Sequence, residues 1–143
     1  MLTQQGKKID KMNALMDFLC DHYGVKKEDV LSKRRFSELV KVRRMFAYIL
    51  YRLDPNGFYA INSQGNLRRT SFVSTIELGD YFGQCNHTTT LKYIRDMDAD
   101  VMFGVSSTLK EVRDLLDKIG CDEISEAFEE EILMSRQNIL KTR

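Results

Sequence analysis

The chain has 143 residues, of which 43% are hydrophobic and 30% charged, and its formal net charge is +1. This length and apolar content suit one domain around a single sizeable core, so we expect residues 1–143 to form one domain. No segment approaches the 18 or more consecutive apolar residues of a membrane span, and residues 1–11 contain no apolar signal core. These features exclude a membrane-spanning segment and predict a cytoplasmic protein with no membrane partner.

The charges are unevenly distributed along the chain. Residues 1–53 carry 12 Lys or Arg and 6 Asp or Glu, residues 54–95 carry 4 and 3, and residues 96–143 carry 6 and 12. A basic front suits a polyanion, whereas an acidic end can dock on that face, bind another protein or keep the chain in solution. A solvated charged surface is the simpler alternative.

The residues that support catalysis or metal binding form no pattern in this sequence. Cys20, Cys85 and Cys121 are odd in number and widely separated, which favours free thiols over a disulfide framework or a zinc site. The two histidines, His22 and His87, have no adjacent nucleophile or carboxylate set. We therefore expect no cofactor and no metal, and an enzyme is the weakest interpretation.

The first half of the chain is predicted to be helical. Apolar residues at three- and four-residue spacing predict an amphipathic helix over residues 7–22, which Gly24 ends. A short helix or turn follows over residues 25–31, and then the basic run Lys33-Arg34-Arg35. A longer helix, with one apolar stripe from Phe36 to Leu53, leaves Lys41, Arg43 and Arg44 largely off the stripe. Pro55-Asn56-Gly57 stops it.

Residues 58–73 change the pattern. Aromatic and β-branched residues flank Asn62-Ser63-Gln64-Gly65-Asn66, which predicts either a short β-hairpin or an ordered loop. We interpret the segment as an insertion between two helical parts.

Two helices in close succession are predicted after the insertion. Ser74-Thr75-Ile76-Glu77 has the form of a capping box, in which the Ser74 hydroxyl and the Glu77 carboxylate bond free backbone N–H groups. Gly83 can end this short helix, and Asn86 can cap another after Gly83-Gln84-Cys85. Two more helices are expected near residues 108–119 and 122–140, separated by Gly120.

The start of the second of these close helices carries the chemistry. A helix-turn-helix places the first turn of its second helix against base edges in the major groove. Here that turn is Asn86-His87-Thr88-Thr89-Thr90, followed by Leu91, Ile94 and Met97 for the core. Thr methyl groups can contact thymine, Thr hydroxyls and His87 can bond bases or phosphates, and the helix N-terminus favours an anion. Asn86 could equally be only a cap, and the threonines only an exposed turn.

Four blocks of the sequence, in order, resemble the C-terminal DNA-binding domain of the bacterial replication initiator DnaA. They are Val30-Leu31-Ser32-Lys33-Arg34-Arg35, Lys41-Val42-Arg43-Arg44-Met45, Glu77-Leu78-Gly79-Asp80-Tyr81-Phe82-Gly83 and Asn86-His87-Thr88-Thr89. The resemblance implies an all-α, Trp-repressor-like fold with a helix-turn-helix. Its core would cover residues 12–99 with an insertion near 54–73, followed by an acidic helical extension over 100–143.

The resemblance also implies roles for individual residues. Arg35, next to Arg34, matches an arginine that enters the minor groove. His87, Thr88 and Thr89 match base-facing residues, and Asn86 replaces the usual aspartate. Lys41 and Arg43 lie in the block of the long helix, where Arg43 matches a DNA-contacting residue and Arg44 stands where glutamine is common. Residues at the start of the first motif helix match positions near the DNA backbone: Ser74, Thr75 and Ile76.

Departures from the family pattern limit what can be carried over. Asn86 both donates and accepts hydrogen bonds where aspartate only accepts, Cys85 replaces an arginine, and Thr90 replaces an apolar residue, so base preference can differ. Arg68 and Arg69 in the insertion could touch phosphate or be merely exposed. No G-x-x-x-x-G-K-[ST] motif occurs in the sequence, so we expect no ATP-driven origin melting by these residues.

Two functions of different classes remain open at this point. The first is a stand-alone, sequence-specific protein that binds double-stranded DNA at initiator-type sites and regulates replication initiation or transcription. The second is a protein-interaction module whose acidic C-terminal helices, including Glu129-Glu130-Glu131, bind a partner after DNA binding has been lost.

Overall fold

The computed structural model describes residues 4–53, 58–61, 65, 67–70, 73–82 and 87–141, and side-chain surroundings for residues 9–53, 65, 73–82 and 88–135. In chain order the elements are α1 (Gln4–Tyr23), α2 (Lys27–Val30), α3 (Ser37–Arg52), β1 (Phe58–Ile61), β2 (Leu67–Thr70), α4 (Thr75–Phe82), α5 (His87–Met102), α6 (Ser106–Ile119) and α7 (Asp122–Lys141). The predicted all-α fold is confirmed.

Helix α3 lies at the centre of the structure and packs against α1, α2 and α5. Every residue from Met45 to Leu50 is buried. Residues 45–50 of α3 are therefore covered on all sides, and this part of the helix has no exposed polar face. The predicted apolar stripe is buried from Leu39 to Leu53, but the prediction was wrong for Phe36, which is 66% exposed, and for Arg43, which is buried.

The strands β1 and β2 pair antiparallel, from Phe58 opposite Thr70 to Ile61 opposite Leu67. The two alternatives for this segment, a hairpin and an ordered loop, are thus resolved in favour of the hairpin, and β2 lies against α3. Residues 54–57, which include Pro55-Asn56-Gly57, lie outside the described residues, as do 62–64 and 66.

Glycines end two of the helices as the sequence predicted. Gly24 follows α1 with φ 68°, and Gly120 follows α6 with φ 73°, both in the left-handed region that only glycine enters without strain. The Gly120 N–H donates to the Leu116 carbonyl at 3.0 Å. This cap separates α6 from α7 near the predicted place.

The C-terminal helices belong to the same hydrophobic core as the rest of the described chain. Helix α7 packs against α5 and α6, and Phe128 meets Tyr48 of α3 edge-to-face with ring centroids 6.3 Å apart. Ala127, Phe128 and Ile132 are buried. Within the described residues, no helix combines the length and the apolar character that crossing a membrane requires.

Candidate nucleic-acid interface

Helix α4 begins at the predicted capping box. The Ser74 backbone N–H donates to Glu77 Oε1 at 3.2 Å, and the Glu77 backbone N–H donates to Ser74 Oγ at 3.1 Å. These reciprocal bonds satisfy two donors that a helix start leaves without intrahelical partners. Thr75 is partly buried, while Ser74 and Ile76 are exposed, with Ile76 at 63%. The three residues thus lie at or near the surface at the start of α4.

Buried aromatic contacts hold α4 in place against the core. The Tyr81 ring stacks on Phe46 with centroids 5.1 Å apart, and its hydroxyl donates to Asn13 Oδ1 of α1 at 2.7 Å. Burial is the main reason that the pKa of Tyr81 is raised. Phe82 meets Phe46 and Tyr93 edge-to-face, which connects α4 to both α3 and α5.

The three threonines in the first turn of α5 differ in their burial. Thr88 is exposed, Thr89 is half-buried, and Thr90 is fully buried. Ile94 and Met97 enter the core as predicted, but Leu91 is only partly buried. Helices α4 and α5 pack against each other. Asn86, with the rest of residues 83–86, lies outside the described residues; His87 begins α5, but its side-chain surroundings are not described.

An open cleft of about 570 Å³ lies between the 32–35 turn, α3 and α5, and we call it the basic cleft. The turn supplies Ser32, Lys33 and Arg35; α3 supplies Val40, Arg43 and Arg44; and α5 supplies Thr88, Thr89, Lys92, Tyr93 and Asp96. Five of these side chains are cationic and one is anionic. The cleft therefore has the charge expected of a surface that binds a polyanion.

The cations of the basic cleft differ in their partners. The Arg44 Nη2 donates to Asp96 Oδ2 of α5 at 3.1 Å, which crosses the cleft from α3 to α5. The Arg43 guanidinium is directed at backbone carbonyls of residues 29–32. Lys33 and Arg35 are exposed on the turn. Those two side chains are therefore the accessible charges at this edge.

Five predicted residues with described side chains lie outside the lining of the cleft: Ser74, Thr75 and Ile76 at the start of α4, and Arg34 and Lys41. Arg34 is exposed and forms a 3.4 Å ion pair with Asp29, and Lys41 is exposed on α3. Lys92 and Tyr93 line the cleft but were not predicted. The sequence spacing does indicate Lys92, because Lys92 follows Thr88 by four residues and therefore lies on the same face of the helix.

Comparison with known proteins identifies related sequences. No protein-family model matches the chain. It is 27% identical to the chromosomal replication initiator protein DnaA of Brucella abortus biovar 1 (strain 9-941) over 123 residues, which are 85% of this chain and 21% of that protein. DnaA of Bartonella quintana (strain Toulouse) is 29% identical over 120 residues, or 83% and 21%. The resemblance to DnaA is confirmed. The chain spans about a fifth of the length of these relatives.

The four blocks that resemble DnaA lie close together in the fold. The 30–35 and 41–45 blocks and the threonines of α5 meet at the basic cleft. The 77–83 block forms most of α4 up to Phe82 and packs against α5 from another side. The DnaA-like residues are thus grouped around the start of one helix, although they are separated by more than 50 positions in the sequence.

Proposed function

We propose that this chain binds double-stranded DNA at initiator-type sites through the basic cleft, and that it thereby regulates replication initiation or transcription. One observation carries the proposal: the Lys33–Arg35 turn and the threonines at the start of α5 line the same cleft. The similarity to proteins named chromosomal replication initiators supports it.

The chemistry of the cleft suits phosphate and base edges together. Lys33, Arg35 and Lys92 are available to neutralise phosphates, which is the term that dominates affinity for DNA. The N-terminus of α5 adds the positive end of the helix dipole. Thr88 and Thr89 offer hydroxyl and methyl groups to base edges, which is the term that gives sequence choice.

We propose that α4 and α5 form a helix-turn-helix in which α5 is the recognition helix. The capped start of α4 would then approach the DNA backbone with Ser74, Thr75 and Ile76. Asn86 and His87 would extend the base-facing set at the start of α5. Arg34 and Lys41, both exposed, would add charge beside the cleft.

The burial and contacts of individual acidic residues weaken the support for the protein-interaction alternative. Glu131 is buried, and Glu129 bonds Arg113 of α6 at 2.8 Å. Glu131 is therefore enclosed within the fold, and Glu129 pairs with a residue of the same chain. An acidic helix that is part of the core gives no reason to prefer a protein partner over DNA.

The test begins with selection of a preferred duplex from a random pool by the purified chain. Dissociation constants for the selected and a scrambled duplex, measured at one salt concentration, then give the specificity ratio. A good base contact contributes about 1–3 kcal/mol of discrimination. Thr88→Ala should therefore lower the ratio by roughly tenfold or more, with little change in affinity for the scrambled duplex.

Two variants serve as controls for this measurement. Lys110→Ala removes an exposed charge on α6 that does not line the cleft and should leave the ratio unchanged. Arg35→Ala should instead reduce the slope of log affinity against log salt by about 0.9 if Arg35 contacts one phosphate. A parent ratio near one, or a ratio that Thr88→Ala does not alter, would refute base recognition by α5.

A further inference from the structure

Arg43 lies at the floor of the basic cleft, and its residue surface is only 3% exposed. Its Nε donates to the Val30 carbonyl at 2.8 Å, and its Nη2 donates to the Asp29 carbonyl at 3.2 Å and the Ser32 carbonyl at 2.9 Å. Three of the five guanidinium N–H donors are thus directed at the backbone of one short turn.

The turn that Arg43 holds is the one from which the basic run emerges. Helix α2 has only four residues; the Asp29 carbonyl also accepts from the Ser32 N–H at 3.1 Å, whereas the Val30 and Ser32 carbonyls lie beyond the bonds that α2 makes. The planar guanidinium satisfies several such acceptors at once, which a lysine ammonium on a flexible stem does not do with the same geometry. Lys33, Arg34 and Arg35 follow the last of these carbonyls, that of Ser32, without a break.

We propose that Arg43 is a positioning residue that sets the Lys33–Arg35 run against the start of α5, and that it does not itself contact phosphate. The proposal rests on the proposed DNA-binding function of the cleft. It differs from the direct DNA contact that the resemblance to DnaA implied for this position. The reason is burial: a guanidinium that is enclosed and bonded to three carbonyls has little surface left for a phosphate.

Comparing Arg43→Lys with Arg43→Met distinguishes the effect of the positive charge of Arg43 from the effect of its guanidinium geometry. A phosphate contact depends on the positive charge, so Arg43→Lys would keep most of the affinity that Arg43→Met loses. Positioning depends on the fork of N–H groups, so both variants should lose affinity for the selected duplex by a similar factor, about tenfold or more. Restoration of parental affinity by Arg43→Lys would overturn the proposal.

A double-mutant cycle tests whether Arg43 acts through the basic run. Lys33→Ala combined with Arg35→Ala removes the two charges of the run that line the cleft. Adding Arg43→Lys to that background should then cost little further affinity, because residues that act as one unit are not additive. Full additivity would show that Arg43 acts independently of the run and would contradict the proposal.

Limited trypsin digestion provides a readout that needs no DNA. Trypsin cleaves after Lys33, Arg34 and Arg35, and local opening of the turn controls how fast it does so. Cleavage there should be several-fold faster in Arg43→Lys than in the parent and in Lys110→Ala, with helical circular dichroism retained. Unchanged cleavage, or global unfolding of Arg43→Lys, would overturn a role confined to the turn. If the parent fails to bind DNA, the proposed function fails, while this assay still decides the positioning role.

Discussion

Arg52 of α3 and Asp98 of α5 form an ion pair whose side chains are 14% and 22% exposed. Arg52 Nε donates to Asp98 Oδ1 at 3.1 Å and Nη2 to Oδ2 at 2.7 Å, which is a bidentate arrangement. Burial lowers the pKa of Arg52, but the hydrogen bonds and charge of Asp98 outweigh it and leave the pKa raised. The Arg113–Glu129 pair joins similar groups, yet its side chains are 48% and 53% exposed.

Asp98→Ala should destabilise the protein far more than Glu129→Ala. Removing Asp98 leaves a largely buried guanidinium without its partner, which costs about 3 kcal/mol of unfolding free energy. Removing Glu129 breaks a solvent-screened pair and should cost less than about 1 kcal/mol. Urea denaturation at neutral pH gives both values. Equal losses of unfolding free energy would show that burial does not determine how strongly these ion pairs stabilise the protein.

Tyr23 should make the stability of the protein fall at alkaline pH. Its hydroxyl donates to Glu111 Oε1 of α6 at 2.7 Å, and burial, followed by that bond and the Glu111 charge, raises its pKa. A raised folded pKa means that the contribution is complete below the unfolded pKa of about 10 and is lost as pH rises toward the folded pKa. The loss from this group is at most about 1.4 kcal/mol per pH unit.

Tyr23→Phe isolates this effect. The variant should be less stable at pH 7 by about 1 kcal/mol, because it lacks one hydrogen bond. Its unfolding free energy should then decline less steeply than that of the parent above pH 10. Urea denaturation at several pH values measures both, with Glu111→Gln as the control that keeps an acceptor but removes the charge. Parallel pH profiles for the parent and Tyr23→Phe would contradict the role of Tyr23.

Helix boundaries were the most predictable elements, because their signals are local. The Ser74–Glu77 box and the glycines after α1 and α6 each depend on a few neighbouring residues. The exposed Thr88 and the half-buried Thr89 at the start of α5 were predictable for the same reason. The resemblance to DnaA supplied the connection between them and the Lys33–Arg35 run, which helical spacing alone cannot make.

The residues that were wrongly predicted depend on contacts between distant parts of the chain. Arg43 was expected at the surface because it falls off the apolar stripe of the long helix and matches a DNA-contacting residue of the family, but the turn after α2 folds over it and offers carbonyls as partners. Thr90, predicted in the polar first turn of α5, is buried, while Leu91, predicted for the core, is only partly buried. The pairing of Arg44 with Asp96 requires α3 and α5 to be neighbours. A short segment of sequence does not predict these contacts, because their partners lie far apart along the chain.

The capping box should measurably stabilise α4. Ser74→Ala removes the acceptor of the Glu77 N–H bond and should lower the unfolding free energy by about 1 kcal/mol. Ser106→Ala is a matched control, because the start of α6 has Val105 as its N-cap and no side-chain cap bond. A Ser74→Ala and Glu77→Ala double-mutant cycle should reveal coupling. Additive losses would argue against a reciprocal box.

At the scale of the whole molecule, the basic N-terminal part and the acidic C-terminal part of the chain contact each other through polar pairs. Acidic residues from the C-terminal part pair with partners on helices from the N-terminal part, namely Asp96 with Arg44, Asp98 with Arg52, and Glu111 with Tyr23. The acidic part is therefore not a separate tail among the described residues. Helices α6 and α7 pack against α5, and the first turns of α5, including Asp96, line the basic cleft.

Deletion of residues 122–143 should unfold the protein instead of exposing a stronger DNA-binding face. The deletion removes Phe128, whose fully buried ring covers Tyr48, together with Ala127 and Ile132 from the core. Phe128→Ala alone should cost about 3–5 kcal/mol, a large share of the stability of a typical domain. Leu133→Ala on the same helix, where Leu133 is 58% exposed, should change stability by less than about 1 kcal/mol. Thermal unfolding followed by circular dichroism compares the three variants with the parent. If α7 were instead an electrostatic mask, the truncated chain would keep a cooperative transition and bind scrambled duplex more tightly, and that result would overturn the assignment of α7 to the core.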